Sequence, residues 1–371
     1  MEKLIENFGC EKINEEHINH ILSFTNDNDK KQNLLSLFKS GIITANRDLK
    51  ILLDAVEKGE KFYIYTGRGP SHGSLHIGHV IPFLVCKYLQ DIFECPIFIQ
   101  LSTDEKFIRD DISINEVESN ALSNTLDILS LGLDPMKTRI VSNFECIKEL
   151  YPTVMTICKH TTNNQMRAIF GINESDNVGS YFFPAVESAP SFPCAVEKIF
   201  PNYQRCLVVL GLDQDPYFRL TRDVSHNLKC HKPSLLHTSF IPGLRDINNK
   251  MSSSDPNSAI FLSDTLENIS FKIKHHAFSG GGQTLKLHRE FGANIDVDVS
   301  VKYLNVFGRI TTFNPNNIDI DNLIYRYSKG ECLTNEIKSV TIDIISRMLS
   351  YFQNNNIRNT DISIITKMLP L

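Results

Sequence analysis

The pattern of apolar and polar positions predicts an α/β body in the first part of the chain. Apolar side chains at helical spacing predict a helix over 46–58, and Gly59 ends it. A short apolar strand over 62–65 follows, then a glycine-containing turn, a helix over about 76–90 and a second apolar strand over 96–101. This order predicts a parallel βαβ unit whose helix begins at the turn.

The flanking regions of the chain predict further elements, and the last part is predicted to be helical throughout. Residues 1–45 carry apolar positions at helical spacing and predict a helical N-terminal leader. From about residue 264 the strand signals fade and helical patterns take over, so we expect a helical C-terminal domain. The remaining predicted elements are helices over 114–131, 145–159, 216–227, 323–327 and 337–349, strands over 204–210 and 235–240, and a loop over 173–193.

Composition and charge exclude several classes of protein. The 371 residues are 42% hydrophobic and 22% charged, as in ordinary globular proteins. The apolar runs are far shorter than the about 20 residues that a membrane helix needs, and the charged N-terminus does not resemble a signal peptide. With 38 basic and 43 acidic residues, the chain lacks the basic footprint of indiscriminate nucleic-acid binding. We expect a cytoplasmic protein with no membrane or DNA partner.

The cysteines do not form a recognisable metal or redox motif. There are nine, scattered along the chain, and no C-x-x-C pair occurs among them. We therefore expect reduced thiols, no zinc and no prosthetic group.

The turn between the first predicted strand and its helix carries candidate phosphate chemistry. Backbone N–H groups at a helix N-terminus favour anions. His76 and His79 are spaced so that both can reach one phosphate, and Gly78 between them lets a flat base approach the backbone. The pattern alone also fits chance or core histidines. Its position at the first βα turn favours a nucleotide site.

A second candidate lies far downstream, in the polar loop Lys250–Pro256. Its composition alone also fits a solvated linker. Together with His76-Ile77-Gly78-His79, however, Lys250-Met251-Ser252 resembles the paired signatures of class I aminoacyl-tRNA synthetases. From about residue 46 onward the chain resembles the eukaryotic-type tryptophanyl-tRNA synthetase family more closely than the tyrosyl family. The segments that carry this resemblance are Tyr65–Ser71, Gln100–Lys106, Ala168–Gly171, Ala189–Phe192, Asp213–Arg219, Thr221–Asp223, His276–Gly281 and Asp296–Ser300.

The resemblance implies a domain organisation and a reaction. It implies a Rossmann-like parallel-sheet catalytic domain over 46–263, an inserted helical dimerisation segment at about 104–210 and a helical anticodon-binding domain over 264–371. Such an enzyme joins tryptophan to ATP, held with Mg²⁺, and releases pyrophosphate. It then transfers tryptophan from the adenylate to tRNA(Trp). A homodimer is implied as well.

The resemblance also implies roles for individual residues around ATP. His76, His79 and Arg68 would contact the phosphates, and Lys250 would neutralise the departing pyrophosphate, with hydroxyl groups from its loop as further donors. No protein ligand for Mg²⁺ is evident. The implied ATP-binding residues are Gly69, Pro70, Ser71, Gly78, Met251, Ser252, Ser253 and Ser254.

The implied amino-acid pocket combines a polar floor with acidic groups. Tyr65 and Gln100 would bind the indole N–H, because a buried hydroxyl and amide demand a donor from the substrate. The α-amino group would be held by Glu105, Gln214 and Glu187, and Lys106 would lie near the carboxylate.

Two positions depart from the family pattern. Position 187 is glutamate where the family has glutamine, and its carboxylate could contact the substrate ammonium or turn away into a salt bridge. Ser253 stands where the general class I signature has a second lysine, which eukaryotic-type tryptophanyl enzymes also lack.

Other interpretations stay open at this point. They are a tyrosyl-tRNA synthetase, a catalytically inactive paralogue that binds RNA or protein, and a small-molecule nucleotidyltransferase with the same histidine turn. Gly280-Gly281-Gly282 predicts a structural turn, since it follows no strand and lacks a Gly-Lys-Ser/Thr ending. Asp296 and Asp298 alternate with valines and predict an exposed face.

Overall fold

Strands from residues 11–238 meet in one mixed sheet. We describe it from a computed structural model, which defines residues 9–253 and 255–355. Within those residues the sheet has seven strands in the order β1-β2-β7-β6-β3-β4-β5. The strands are β1 (Glu11–Lys12), β2 (Ile43–Arg47), β3 (Phe62–Arg68), β4 (Ile97–Leu101), β5 (Thr138–Ser142), β6 (Arg205–Gly211) and β7 (Ser234–Thr238).

The central strand β3 marks the point where the direction of winding reverses. It is parallel to β4 on one side and to β6 on the other, with Tyr65 opposite Phe98 and Val208. β5 and β7 extend the parallel part, whereas β2 and β1 add antiparallel to β7. Ligands in open α/β sheets bind outside the carboxyl ends of the strands at such a reversal.

Helices cover both faces of the sheet and form the C-terminal region. One apolar core lies under α4 and continues into the C-terminal helices; the other lies between the opposite face and the helices that follow β5. The helices are α1 (Glu15–Ser23), α2 (Asn28–Lys39), α3 (Leu49–Glu57), α4 (Ile77–Phe93), α5 (Thr103–Arg109), α6 (Ile114–Ser130), α7 (Asn143–His160), α8 (Asn163–Phe170), α9 (Val178–Ser188), α10 (Pro193–Val196), α11 (Asp215–Val224), α12 (Leu266–His276), α13 (Leu285–Phe291), α14 (Val299–Phe307), α15 (Ile320–Ser328) and α16 (Thr334–Asn354).

The predicted βαβ unit is confirmed, and β3 is longer than predicted. It runs on to Arg68, so the strand itself delivers the arginine to the sheet edge. The α/β class and the predicted strands at 96–101, 204–210 and 235–240 are confirmed with small shifts of their ends. The helical C-terminal prediction is confirmed as far as residue 355.

The prediction of a purely helical leader is wrong. β1 and β2 belong to the sheet, and β2 continues to Arg47, so the helix predicted from residue 46 begins only at Leu49. Asp48 between them adopts a positive φ of 56°. The reason is burial: Ile43, Ala45 and Asn46 are at most 3% exposed, as positions in a strand between β1 and β7 must be when α2 covers it.

The middle of the chain differs from prediction in three respects. The stretch 173–193 is not a loop, because α9 fills residues 178–188 with buried Phe183, Ala185 and Val186. The strand β5 was not predicted. The segment 104–210 is not wholly inserted, since β5 and β6 within it pair in the central sheet.

The predicted turn at Gly280–Gly282 is anchored by a buried carboxylate. Asp298 accepts the Gly280 N–H at 2.8 Å and the Tyr327 hydroxyl at 2.9 Å. It is 1% exposed, so the expectation of an exposed face is wrong at this position. Among the described helices, none has the length and apolar content to cross a membrane.

Candidate active site

A cavity of about 650 Å³ opens at the carboxyl ends of β3, β4, β6 and β7. Of the predicted site residues, Tyr65 and Gln100 lie beneath its floor, Pro70 is buried beside it, and Ser254 lies outside the described residues. The cavity brings together the other predicted residues: Arg68, Gly69, Ser71, His76, Gly78, His79, Glu105, Lys106, Glu187, Gln214, Lys250, Met251, Ser252 and Ser253.

The two histidines form a stacked pair at the N-terminus of α4. Their ring centroids lie 3.4 Å apart, and Arg68 Nη2 lies 3.3 Å from His79 Nδ1 and donates to Ser71 Oγ at 2.8 Å. A Cβ on Gly78 would lie 3.0 Å from His76 Nδ1, so the stack needs a glycine there. His76 Nδ1 and Arg68 Nε are buried without a hydrogen-bond partner, as groups that await a ligand would be.

Burial sets the charge of this cluster. Burial, and then the Arg68 charge, lower the pKa of His76 to about 4 and lower the pKa of His79 further. Burial also lowers the pKa of Arg68, to about 10. At neutral pH two uncharged imidazoles therefore lie beside one guanidinium cation. The cluster as a whole is positively charged and suits an anionic ligand.

Lys250 reaches the same cavity from the opposite wall. Its Nζ lies 3.3 Å from the centroid of the Phe240 ring and 3.5 Å from Asp213 Oδ2. The side chain is 55% exposed, so these contacts hold it only weakly. Met251 beside it is buried against the apolar core.

A buried polar cluster forms the floor beneath the other end of the cavity. The Tyr65 hydroxyl lies 2.5 Å from Gln100 Oε1 and 2.7 Å from the Glu187 carbonyl oxygen, and burial raises its pKa well above the usual value. Gln100 Nε2 donates to the Val186 carbonyl at 3.3 Å. The Tyr65 hydroxyl and the Gln100 amide are thus hydrogen-bonded to each other. They are positioned to accept one further hydrogen bond from a donor in the cavity above them.

The acidic wall above this floor contains two carboxyl groups in different settings. Glu105 pairs with Arg109 at 3.0 Å, whereas Glu187 accepts only a hydrogen bond from Ser102 Oγ at 3.0 Å. Lys106 pairs with Asp110 at 3.1 Å on the same helix. Of the two orientations open for Glu187, the structure has the one that faces the cavity.

Comparison with known proteins identifies the family. The profile described as tRNA synthetases class I (W and Y) matches residues 57–350. The cytoplasmic tryptophan–tRNA ligases of Dictyostelium discoideum and Homo sapiens are each 41% identical over 97% of this chain, covering 88% and 75% of their own lengths. The crystal structure of Plasmodium falciparum tryptophanyl-tRNA synthetase superposes with a TM-score of 0.89 at 41% identity, over 99% of this chain and 96% of its own. A tryptophan-bound structure from Encephalitozoon cuniculi gives 0.88 at 36% identity, over 99% and 96%.

The chain belongs to the tryptophanyl-tRNA synthetase family. The expected class I Rossmann-like fold is thereby confirmed, as is the resemblance read from the two signatures.

The sequence analysis did not identify the side chains that shape the signature turn of this synthetase. Asn124 accepts from Ser71 N at 3.1 Å and donates to the carbonyls of Ser71 and Gly73, while Asp127 accepts from Leu75 N at 2.7 Å. Both project from α6, one turn apart, and both are at least nine-tenths buried. The signal that could have found them is a row of polar residues at helical spacing among the apolar ones of α6.

The segment after Lys250 is joined to the same turn. Ile77 N donates to the Ile260 carbonyl at 2.9 Å and Leu262 N donates to the Leu75 carbonyl at 2.8 Å. Asp264, which follows, pairs with the buried Lys272 at 2.7 Å. The first signature of the synthetase is therefore bonded, through a short antiparallel contact, to the segment that follows the second.

Gln214 is positioned by a buried carboxylate that the sequence analysis did not single out. Asp215 accepts from Arg219 at 2.9 Å, from Arg47 at 3.2 Å and lies 2.9 Å from His237 Nε2. Cys10 completes a group with metal-ligand geometry, but the Arg47 guanidinium lies 3.2 Å from its sulfur and already supplies a cation there. The N-terminal segment thus stabilises the start of α11, which borders the cavity.

Proposed function

We propose that this chain is a tryptophan–tRNA ligase. It activates tryptophan with ATP to give tryptophanyl-adenylate and pyrophosphate, and then transfers tryptophan to tRNA(Trp). One observation carries the proposal: a cationic cluster around His76 and Arg68 and an acidic wall formed by Glu105 and Glu187 line the same cavity above a polar floor. A nucleoside triphosphate and a zwitterionic amino acid need that division of charge.

The activation step requires positioning and charge stabilisation more than covalent chemistry. A tryptophan carboxylate oxygen attacks the α-phosphorus, the bond from that phosphorus to the bridging oxygen breaks, and pyrophosphate leaves with the electron pair. Arg68 and the neutral N–H groups of His76 and His79 bind the phosphates. Lys250 leaves Phe240 and Asp213 to neutralise the pyrophosphate, while Mg²⁺ enters as part of the ATP substrate.

The amino acid is held by its two ends. Tyr65 and Gln100 form the site for the indole N–H. A substrate without this donor is rejected because it would leave their acceptor groups without a hydrogen bond, which costs free energy. Glu105, Glu187 and Gln214 hold the ammonium group. Lys106 lies on the side from which the carboxylate meets ATP.

The C-terminal helices are proposed as the anticodon-binding region. Residues 264–371 contain 12 basic and 11 acidic residues, so recognition there depends on stacking and hydrogen bonds more than on net charge. Aromatic rings suited to stacking are exposed on this region: Phe271 (55%), Phe278 (49%), Phe291 (73%) and Tyr325 (59%).

A homodimer in the cytoplasm completes the proposal. The helices within 104–210 present exposed apolar side chains, among them Tyr151, Met155 and Val178, which is 83% exposed. An open apolar cavity of about 580 Å³ lies beside Val178 and Tyr181. Burial of this surface against a second copy supplies the driving force for association.

Amino-acid-dependent exchange of pyrophosphate into ATP, without tRNA, tests the activation step. Tryptophan, tyrosine and no amino acid are compared, and we expect exchange with tryptophan alone. Since the chain contains no tryptophan, indole fluorescence of the substrate follows binding in the same samples. Exchange with tyrosine would assign the tyrosyl reaction instead. No exchange by folded protein would favour an inactive paralogue.

A further inference from the structure

Glu187 is a buried carboxyl group without a cationic partner. Its residue is 8% exposed, and its Oε2 accepts one hydrogen bond, from Ser102 Oγ at 3.0 Å. Its Oε1 occupies the space above Gly67, where a Cβ would come within 2.8 Å. Among the described residues no lysine, arginine or histidine forms an ion pair with it.

The charged and titratable groups around Glu187 compensate it only weakly: burial and the Glu105 carboxylate raise its pKa by more than the Arg109 charge lowers it. On α5, Asp104 accepts from Asn143 at 2.6 Å, Glu105 is paired with Arg109, and Lys106 is paired with Asp110. The remaining neighbours are groups that stay neutral: Tyr65 on β3, Tyr217 on α11 and Cys146 on α7, whose pKa values are all raised, first of all by burial. Arg68 serves the phosphate end of the cavity.

The protonation state of this carboxyl follows from its setting. Burial, and then the nearby Glu105 carboxylate, raise the pKa of Glu187 to about 8. Without ligand the group therefore carries a proton at neutral pH, because an uncompensated buried charge is costly. Arrival of a cation at the cavity end would reverse that balance.

We infer that Glu187 gives up its proton to solvent when the substrate ammonium docks against it, so that tryptophan binding releases one proton. The inference rests on the proposed function and adds a property that a glutamine at this position cannot have. The step balances: a neutral carboxyl and an ammonium become a carboxylate–ammonium pair plus a solvent proton. No bond of the substrate changes.

The sign of the pH dependence follows by linkage. In the free protein the proton must be removed before the pair forms, so affinity rises with pH and levels off near the pKa of free Glu187. Below that value, and above the lowered pKa in the complex, affinity changes by about tenfold per pH unit. Loss of affinity toward acidic pH is thus expected while the histidines remain neutral.

Fluorescence titration of tryptophan between about pH 6 and pH 8 tests this with two proteins and two ligands. Wild type is expected to bind tryptophan more tightly as pH rises. Glu187→Gln keeps an acceptor for Ser102 and should give a nearly flat profile that meets the wild-type curve at low pH. Indole-3-propionate, which lacks the ammonium, should show no rise with either protein. Calorimetry in two buffers of different ionisation enthalpy should find about one proton released per tryptophan by wild type and about none by Glu187→Gln.

The outcomes separate this inference from the proposed function. A flat wild-type profile with firm tryptophan binding would overturn the inference and leave the proposed function in place. No tryptophan binding by wild type at any pH would overturn the proposed function itself. A rise that persists in Glu187→Gln would assign the proton to another group and would also overturn the inference.

Discussion

Lys250 is held at the rim of the cavity by one aromatic ring and one carboxylate. Its Nζ lies 3.3 Å from the Phe240 centroid and 3.5 Å from Asp213, and these partners follow the ends of β7 and β6 respectively. The signature motif predicts that this lysine matters. It could not predict where the side chain rests, because that depends on how the ends of β6 and β7 lie beside the loop.

Lys250→Ala is expected to reduce adenylate formation severely while tryptophan binding stays nearly unchanged. The side chain interacts with the triphosphate most strongly as pyrophosphate departs, so its loss removes transition-state stabilisation of the order of 10²–10³-fold, as for other electrostatic groups. Pyrophosphate exchange measures the first quantity and fluorescence titration the second. Equal losses in both assays would contradict the assigned role.

Phe240→Leu is expected to lower the KM for ATP by about two- to fivefold. An exposed cation–π contact contributes about 0.5–1 kcal/mol. When it is removed, the resting position of Lys250 is no longer favoured over its ATP-bound position. Steady-state exchange kinetics measure the change. Phe271→Leu, at a similarly exposed ring (55%) on α12, is the control and should leave KM unchanged. A higher KM in Phe240→Leu would mean that the ring supports the bound state instead.

At the scale of elements, the signature turn depends on two side chains of a helix that lies outside it. Asn124 and Asp127 on α6 satisfy N–H and C=O groups of residues 71–75, of which the Leu75 N–H is buried. An unpaired buried backbone group costs about 1–3 kcal/mol, enough to disorder a turn. The shape of the phosphate site therefore comes from α6 as much as from the turn itself.

Asn124→Ala should raise the KM for ATP by about tenfold or more and leave the affinity for tryptophan within about twofold, since the amino-acid floor lies on other elements. Asp127→Leu should behave alike, and Asp127→Asn, which still offers an acceptor to Leu75 N, should recover most of the activity. Asn115→Ala, an exposed asparagine on the same helix, is the matched control. Parallel loss of ATP and tryptophan affinity would indicate general unfolding instead of a local effect.

Asp215→Asn should destabilise the protein at pH 7 and by about half as much near pH 3. Burial alone would raise the pKa of Asp215, but hydrogen bonds from His237 and Arg219 and the Arg47 charge lower it to about 2. A carboxylate with a lowered pKa stabilises the fold fully above its unfolded value of about 3.9, by about 2 kcal/mol here, and loses this as pH falls toward 2. Thermal melting at several pH values measures this stabilisation. Asp223→Asn, at an exposed position on the same helix, is the control. A gap in melting temperature that stayed constant with pH would contradict the assigned charge.

Elements with strong periodicity were predictable, and those decided by tertiary context were not. α4 and β3 stand out in the sequence because a long apolar face and a run of β-branched and aromatic residues each favour one structure. α9 was missed because Pro184, Pro190 and Pro193 suggest a loop. In the structure Pro184 lies inside the helix, and Pro193 begins the next one, where a missing N–H costs nothing. β2 was missed because its strand character comes from pairing with β7.

The whole molecule is organised so that the C-terminal helices share a core with the catalytic sheet. One apolar cluster runs from Ile21 and Leu34 through α4 to Met348 and Phe352. Gln353 on α16 donates to the Leu262 carbonyl at 2.8 Å, close to the antiparallel contact between residues 75–77 and 260–262. The domain division predicted at residue 264 thus marks a change of secondary structure, whereas the packing continues across it.

Phe291→Ala tests whether the exposed rings of the C-terminal helices bind RNA. The ring is 73% exposed at the end of α13, and a base stacked on it would contribute about 1–3 kcal/mol. We therefore expect the KM for tRNA in aminoacylation to rise at least fivefold, while pyrophosphate exchange without tRNA stays at the wild-type rate, since the ring lies outside the cavity. Leu266→Ala, which removes an exposed aliphatic group (54%) from the same region, controls for loss of apolar surface without loss of a stacking ring. An unchanged KM for tRNA would place the anticodon contact on another surface, whereas a fall in pyrophosphate exchange would show that the change reaches the catalytic sheet through the shared core.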